Sequence, residues 1–537
     1  MNNTRISKLA LSALTGGLLA LASTSCTGDF AQVNTNPLLP NDQMLGQDGV
    51  LNGVFLPTLQ FAPIPTGTSG TGFVNNYQVA YNLTVDSWMG YLAPTDAKWT
   101  GRNLTQFFFA EGWTNGMFSV GVTDIFSPWI KIKQLNKDVA NPNLEIWHIA
   151  QISKIMGMHR TTDRYGAIPY FKVGNGSFTV AYDSQEEVYK SFFAELEEAV
   201  NHLYSYSQGN PIVPKASDVV YEGNALRWAK LGNSLMLRLA MRVRYVAPEL
   251  SRQWAEKALS HSAGLIEAVA DEARIDSKAG LRTRHALFTI AGAYNDTRMG
   301  ASIQSYLKGY NDPRLSVYFE GDTNTAIPPA IPASAATYAS AAKPKVAEFA
   351  PTYWMKASEV AFLKAEAALY GYANAGDAAT NYRRGVELSF EENGISTSQA
   401  ATYLSGASSP ASFTDVQGRY SSTAPTTATV AWNESASEEQ KLEKIITQKY
   451  LAIFPDGLEA WSEWRRTGYP RLIPANTNIS NMGVVTSDGH KDGVRCIPYP
   501  QKEFAENSAN VQEAVRKYRG GNNSANVNVW WDAKPKN

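Results

Sequence analysis

Cysteine is nearly absent: the 537 residues hold two, Cys26 and Cys496. A framework of several disulfides, the usual support of small secreted domains, is excluded. Charge is sparse too. Asp, Glu, Lys and Arg make up 18% of the chain, below the roughly 25% of soluble domains. The 48 Lys and Arg are matched by 49 Asp and Glu, for a formal net charge of −1. Without a basic excess to neutralise phosphates, a nucleic-acid binder is excluded. No internal apolar run reaches the ~20 residues that cross a bilayer. Histidine is scarce, with six in all, and no H-E-x-x-H or H-x-H pair occurs. His148 and His159 would stand ~16 Å apart along a helix, too far for one metal. There is no G-x-S-x-G elbow and no Walker A loop. Paired acids such as Glu186/Glu187 and Glu391/Glu392 read as solvated helix faces. No metal, cofactor or catalytic residue is therefore expected. Glycosidase carboxylates can lie far apart in sequence, so a secreted hydrolase stays as an alternative.

What is present begins at the N-terminus. Arg5 and Lys8 precede an apolar stretch at 9–22, right for a secretory segment and too short to span. Ser23, Thr24, Ser25 and then Cys26 suit lipoprotein processing. Residues 1–25 are read as a signal peptide, Cys26 as the acylated residue and 26–45 as a tether rich in Asn, Pro and Asp. The alternative is ordinary cleavage nearby with Cys26 left as a thiol. Acylation would anchor a soluble domain to a membrane without spanning it.

A hydrophobic content of 44% fits a globular chain, and length alone suggests roughly three or four domains. Residues 54–130 mix helix and loop signals. Apolar spacing of three and four then predicts helices over 144–160, 183–203, 224–246, 251–266, 356–372, 377–392, 438–454 and 458–465. Asp183-Ser184 is a plausible N-cap, with acids in the following turn. Successive helix pairs suggest a helical-repeat scaffold, and W-x-x-L-G at 228–232 matches the opening of a tetratricopeptide unit. A few strands are expected, for instance around 493–499. Arg238 and Arg242, four apart on one helix face, read as structural ion-pair partners. Trp461 and Trp464 read as packing residues, and Trp530 with Trp531 as the dock of the C-terminus.

Several phrases in order, NTNP at 34–37, DRYGAIPY at 163–170, YDSQEEVY at 182–189, the run from Trp228 to Arg242, LKGYNDPRL at 307–315, AEAA at 365–368, EAWSEWRRTG at 459–468, IPYP at 497–500 and VWWD at 529–532, resemble the SusD/RagB-type outer-membrane lipoproteins, in their second SusD-like subgroup. The resemblance covers essentially the whole chain after Cys26. It implies a mainly α fold of tetratricopeptide-like hairpins, in one large domain at 46–537 with long loops and a few short strands. It also implies a surface protein that captures oligosaccharides, or in some systems peptides, for a SusC-like TonB-dependent transporter, without catalysis. A helical scaffold that supports the transporter without gripping ligand is the remaining alternative.

Aromatic side chains stack on sugar C–H faces while Asn, Asp, Arg and Gln bond hydroxyls. Two loop-like segments mix these types: 81–103 and AGAYNDTR at 291–298. Trp88, Tyr91, Trp99 and Arg102 in the first, and Tyr294, Asn295 and Asp296 in the second, are the candidate ligand contacts. For any single aromatic, core packing is the competing reading.

Overall fold

The computed structural model describes residues 55–95, 103–209, 213, 217–278, 281–332 and 336–536. The residues read as signal peptide, acylated Cys26 and tether lie outside them. The described chain begins with α1 (Phe55–Phe61), α2 (Gly72–Tyr77), one helical turn α3 (Val85–Trp88) and a short strand β1 (Leu92–Pro94). Five helices follow: α4 (Glu111–Asn136), α5 (Leu144–Tyr165), α6 (Gln185–Ser207), α7 (Ala225–Arg242) and α8 (Pro248–Ser260). Each packs on the next, as tetratricopeptide-like hairpins do. The middle of the chain breaks into short pieces. They are β2 (Ala273–Ile275), α9 (Ala286–Ala291), β3 (Thr297–Met299), α10 (Ala301–Gly309), α11 (Leu315–Tyr318), β4 (Phe319–Glu320), β5 (Lys343–Pro344) and β6 (Thr352–Met355). Helices resume with α12 (Ala357–Leu369), α13 (Ala378–Glu392), α14 (Thr397–Leu404), α15 (Glu438–Ala452) and α16 (Gly457–Thr467). The chain closes on α17 (Gln501–Glu506) and α18 (Ser508–Tyr518). The described residues belong to one compact unit, Asn52–Asn537.

Local chemistry sets many of these boundaries. Ser184 accepts from the Glu187 amide while Glu187 accepts from the Ser184 amide, closing a capping box at the start of α6. Asn224, Asp377 and Asp456 cap α7, α13 and α16, and Ser437 with Gln440 forms a second box on α15. Each such cap contributes about 1 kcal/mol. Gly166, at φ +74°, ends α5.

One reading of the sequence is sharpened and one is corrected. The stretch 54–130 contains most of α4, a 26-residue helix, hidden by Gly112, Gly116, Gly121 and Pro128, which all lower helix propensity. Gly121 is there for packing: a Cβ would press on Thr161 of α5, whose Oγ1 donates to the Gly121 carbonyl at 2.6 Å. Residues 493–499 form no strand. Ile497 N donates to Arg164 O at the end of α5 and Arg495 N to Ala525 O, at 2.7 and 2.8 Å. The segment meets a helix end and a loop, so no ladder can propagate.

The helices close over a buried charge network. Arg238 of α7 pairs with Glu359 of α12 at 2.6 Å. Arg242, one turn on, sits between Glu459 and Glu463 of α16, each at 2.5 Å. Lys449 of α15 reaches Glu459 at 2.8 Å, and Arg466 pairs with Glu366 at 2.6 Å and also with Glu463. None of these side chains is more than 3% exposed. The arginines at 238 and 242 are thus structural, and the network ties the first helical run to the second. Trp461, Trp464 and Trp531 are buried, the last donating to Asp163 at 2.8 Å, while Trp530 is half-buried.

Candidate ligand-binding site

Three two-stranded antiparallel pairs occur among the described residues, β1–β3, β2–β6 and β4–β5. The first builds the candidate site. Leu92 faces Met299, Ala93 faces Arg298 and Pro94 faces Thr297. Antiparallel register places the chain leaving β1 beside the chain entering β3. The two polar-aromatic segments, some 200 residues apart in sequence, are therefore adjacent in space. Thr95 N donates to Asp296 O at 3.1 Å, and Thr95 Oγ1 to Asn295 O at 2.7 Å.

Tyr294 is partly exposed, and its hydroxyl donates to Oδ1 of Asn75, an exposed residue of α2, at 3.1 Å. Asn295 adopts φ +53° at the loop tip, a conformation that Asn tolerates better than most residues. Its exposed side chain accepts from Arg298 Nη2 at 2.8 Å. Tyr294, Asn295 and Asn75 together present a ring and amide groups to solvent. Asp296 turns inward. It is 3% exposed and accepts from Gln78 Nε2 at 3.0 Å, so it braces the loop instead of facing a ligand. Trp99 and Arg102 lie outside the described residues. Asn75 and Thr95 were missed in the sequence, because neither stands in a pattern that separates it from an ordinary loop residue.

Trp88 and Tyr91 diverge. Trp88 is half-buried, with its Nε1 donating to Leu104 O at 2.9 Å and its ring 5.6 Å from that of Trp461. It walls a small pocket, partly open to solvent, together with Phe107, Trp461, Trp464, Asp488 and Asp492. The indole N–H groups of Trp461 and Trp464 are also taken by backbone carbonyls, those of Val494 and Gly489. These rings can offer only their faces. Tyr91, by contrast, is fully buried. It stacks on Tyr450 at 4.4 Å and donates its hydroxyl to the Tyr450 carbonyl. Burial raises its pKa well above the usual phenol value. Tyr91 is a core residue, and the packing reading wins at that position.

Asp86, two residues before Trp88, is also fully buried, and Tyr77 donates to its Oδ2 at 3.1 Å. Desolvation, opposed by the Tyr77 hydrogen bond, lifts its pKa to about 8. The folded chain then holds a proton that the unfolded chain releases near pH 4. Stability from this group is full below pH 4 and falls as pH rises to about 8. Asp86→Asn, which mimics the protonated acid, is expected to lose this dependence. Urea titrations from pH 4 to 9 should show the variant gaining on the parent as pH rises. A constant difference between the two would refute the assignment.

Among the described residues, no three His, Cys, Asp or Glu side chains cluster to hold a metal ion, and no helix is long and apolar enough to cross a membrane. The described molecule is thus a helical-hairpin scaffold that carries a loop-built, aromatic and neutral-polar surface.

The family model "SusD-like: Susd and RagB outer membrane lipoprotein" matches residues 32–532, and the chain belongs to this family. Solved relatives agree. A chitin-binding SusD homologue from Flavobacterium johnsoniae is 32% identical, with TM-score 0.83, covering 90% of this chain and 99% of its own. A SusD homologue from Bacteroides uniformis is 38% identical, with TM-score 0.81 and the same coverage. One from Bacteroides vulgatus is 30% identical, with TM-score 0.83, covering 92% of this chain and 100% of its own. No functionally curated protein matches the chain.

Proposed function

We propose that this chain captures oligosaccharides at the outer membrane, held by an acyl anchor on Cys26, and passes them to a SusC-like TonB-dependent transporter. It does so by binding alone, without turnover. The observation that carries the reading is the meeting of Thr95 with Asn295 across β1 and β3. It joins the two aromatic-polar segments into one surface, with Tyr294 as the stacking ring and Asn75 and Asn295 as hydroxyl partners. Trp88 and Trp99 are further candidates for stacking, and Arg102 for hydrogen bonding. The chitin-binding relative at 32% identity supports a saccharide over a peptide.

Tyr294→Ala is expected to weaken saccharide binding about tenfold or more while the melting temperature stays near that of the parent. Calorimetric titration with chitin oligosaccharides and a wider glycan panel checks this, with product analysis run alongside. Unchanged affinity would move the site elsewhere. Release of cleavage products would make the chain a hydrolase. Binding confined to a peptide pool would replace the saccharide. Co-purification of a SusC-like barrel with the acylated chain tests the delivery step.

A further inference from the structure

Ten arginines are buried among the described residues. Six of them lie against a carboxylate, as Arg160 does against Asp456 at 2.5 Å. Three more lack that partner and instead lie over an aromatic ring, as Arg465 does over Trp461 at 3.3 Å. Arg298 has neither. Its Nη1 donates to the Thr297 carbonyl at 2.9 Å and its Nη2 to Asn295 Oδ1 at 2.8 Å, while its Nε has no partner. A buried cation without compensation is costly. Burial pulls its pKa below the usual guanidinium value.

The position of this exception matters. Arg298 lies in β3, three residues after the Asn295 tip, and the exposed Asn295 side chain is what its fork holds. Rotation of that one exposed amide would free Nη2. A planar fork with spare donors and an unbalanced charge matches a carboxylate, which it binds through two parallel hydrogen bonds. Neutral hydroxyls would satisfy the donors but leave the charge.

We propose that Arg298 anchors an acidic group of the ligand, so that the preferred saccharide carries carboxylates, as a uronic-acid oligosaccharide does. This rests on reading the Thr95–Tyr294–Asn295 surface as the saccharide site. The ligand supplies the counter-charge that the fold supplies to the other arginines.

The test titrates the full chain from residue 26 with uronic-acid oligosaccharides of several linkages, each beside its neutral methyl ester, and with chitin oligosaccharides and a peptide pool. At least one acid should bind about tenfold or more tighter than its ester. The gap should narrow as salt rises. Arg298→Gln should abolish the gap without lowering the melting temperature, because it removes an uncompensated charge. Arg298→Lys, which keeps the charge and loses the fork, should retain part of it. Equal binding of acid and ester, or binding of neutral saccharides alone, overturns the anionic preference and leaves the saccharide site standing. Binding of peptides alone overturns both. A melting temperature that collapses in both variants, with acid and ester still equal in the parent, makes Arg298 a structural residue.

Discussion

Arg242→Ala is expected to remove about 3–5 kcal/mol of stability, among the largest losses available to a single substitution in this chain. Arg242 is fully buried and holds two carboxylates, Glu459 and Glu463, at 2.5 Å each. Its removal leaves both acids in a low-dielectric interior with less compensation. Lys449 and Arg466 still touch them, so the network weakens without vanishing. The loss should therefore exceed that for any exposed pair, such as Arg516 with Glu513, which solvent screens. Equilibrium unfolding in urea measures both. A loss for Arg242→Ala no greater than that for Arg516→Ala would mean that the network is not a stabilising element. The same network sets acid sensitivity. Burial alone would raise the Glu463 pKa, but Arg466, Lys449 and Arg242 outweigh it and hold the group at about 2. Its stability contribution is present above the unfolded value near 4.3 and is lost as pH falls toward 2. Asp86 acts in the opposite sense between pH 4 and about 8. Taken together, these two groups contribute most in mildly acidic solution.

Gly300→Ala should disturb fold and site together. Gly300 follows β3, and its amide donates to the Tyr91 carbonyl at 3.1 Å. A Cβ there would collide with the backbone of Gly90, 2.8 Å from its carbonyl carbon. The obstacle is backbone, not a side chain that can swing aside. Either β1 and β3 separate or the loops shift, at a cost of about 1–3 kcal/mol. Because the β1–β3 register is what brings Thr95 to Asn295, saccharide affinity should fall with stability. Gly72→Ala is the control. Its Cβ would meet open space, and its φ is not in the left-handed region. Melting temperature and ligand titration on the two variants separate the outcomes. A Gly300→Ala protein with parental affinity would show that the strand pair does not position the site.

The helices that the sequence revealed are those with clean apolar spacing and a polar cap, such as α6 with Ser184 and α7 with Asn224. The one it obscured, α4, carries three glycines and a proline, of which Gly121 lies against Thr161 of α5. In that helix tertiary contact overrides propensity. The candidate site was legible in kind and not in detail. Both polar-aromatic segments could be picked out, yet Tyr91 and Trp88, three residues apart, have opposite fates. Tyr91 precedes β1 and stacks on Tyr450 of α15, and Trp88 ends a helical turn at the edge of a pocket. No local pattern distinguishes a ring that stacks on Tyr450 from one that opens to solvent. Arg298 stands in the sequence as the last residue of AGAYNDTR, with nothing local to mark its burial.

The sequence by itself determined the mainly helical class, the balance of charge that excludes nucleic acid, and the family, because these depend on composition, period and the order of short phrases along the chain. Tertiary structure alone decided which charges meet, which aromatics are spent on the core, and that residues 95 and 295 share one surface. Those are facts of long-range proximity. Two loops joined through antiparallel pairing of three-residue strands write almost nothing about that proximity into the local sequence.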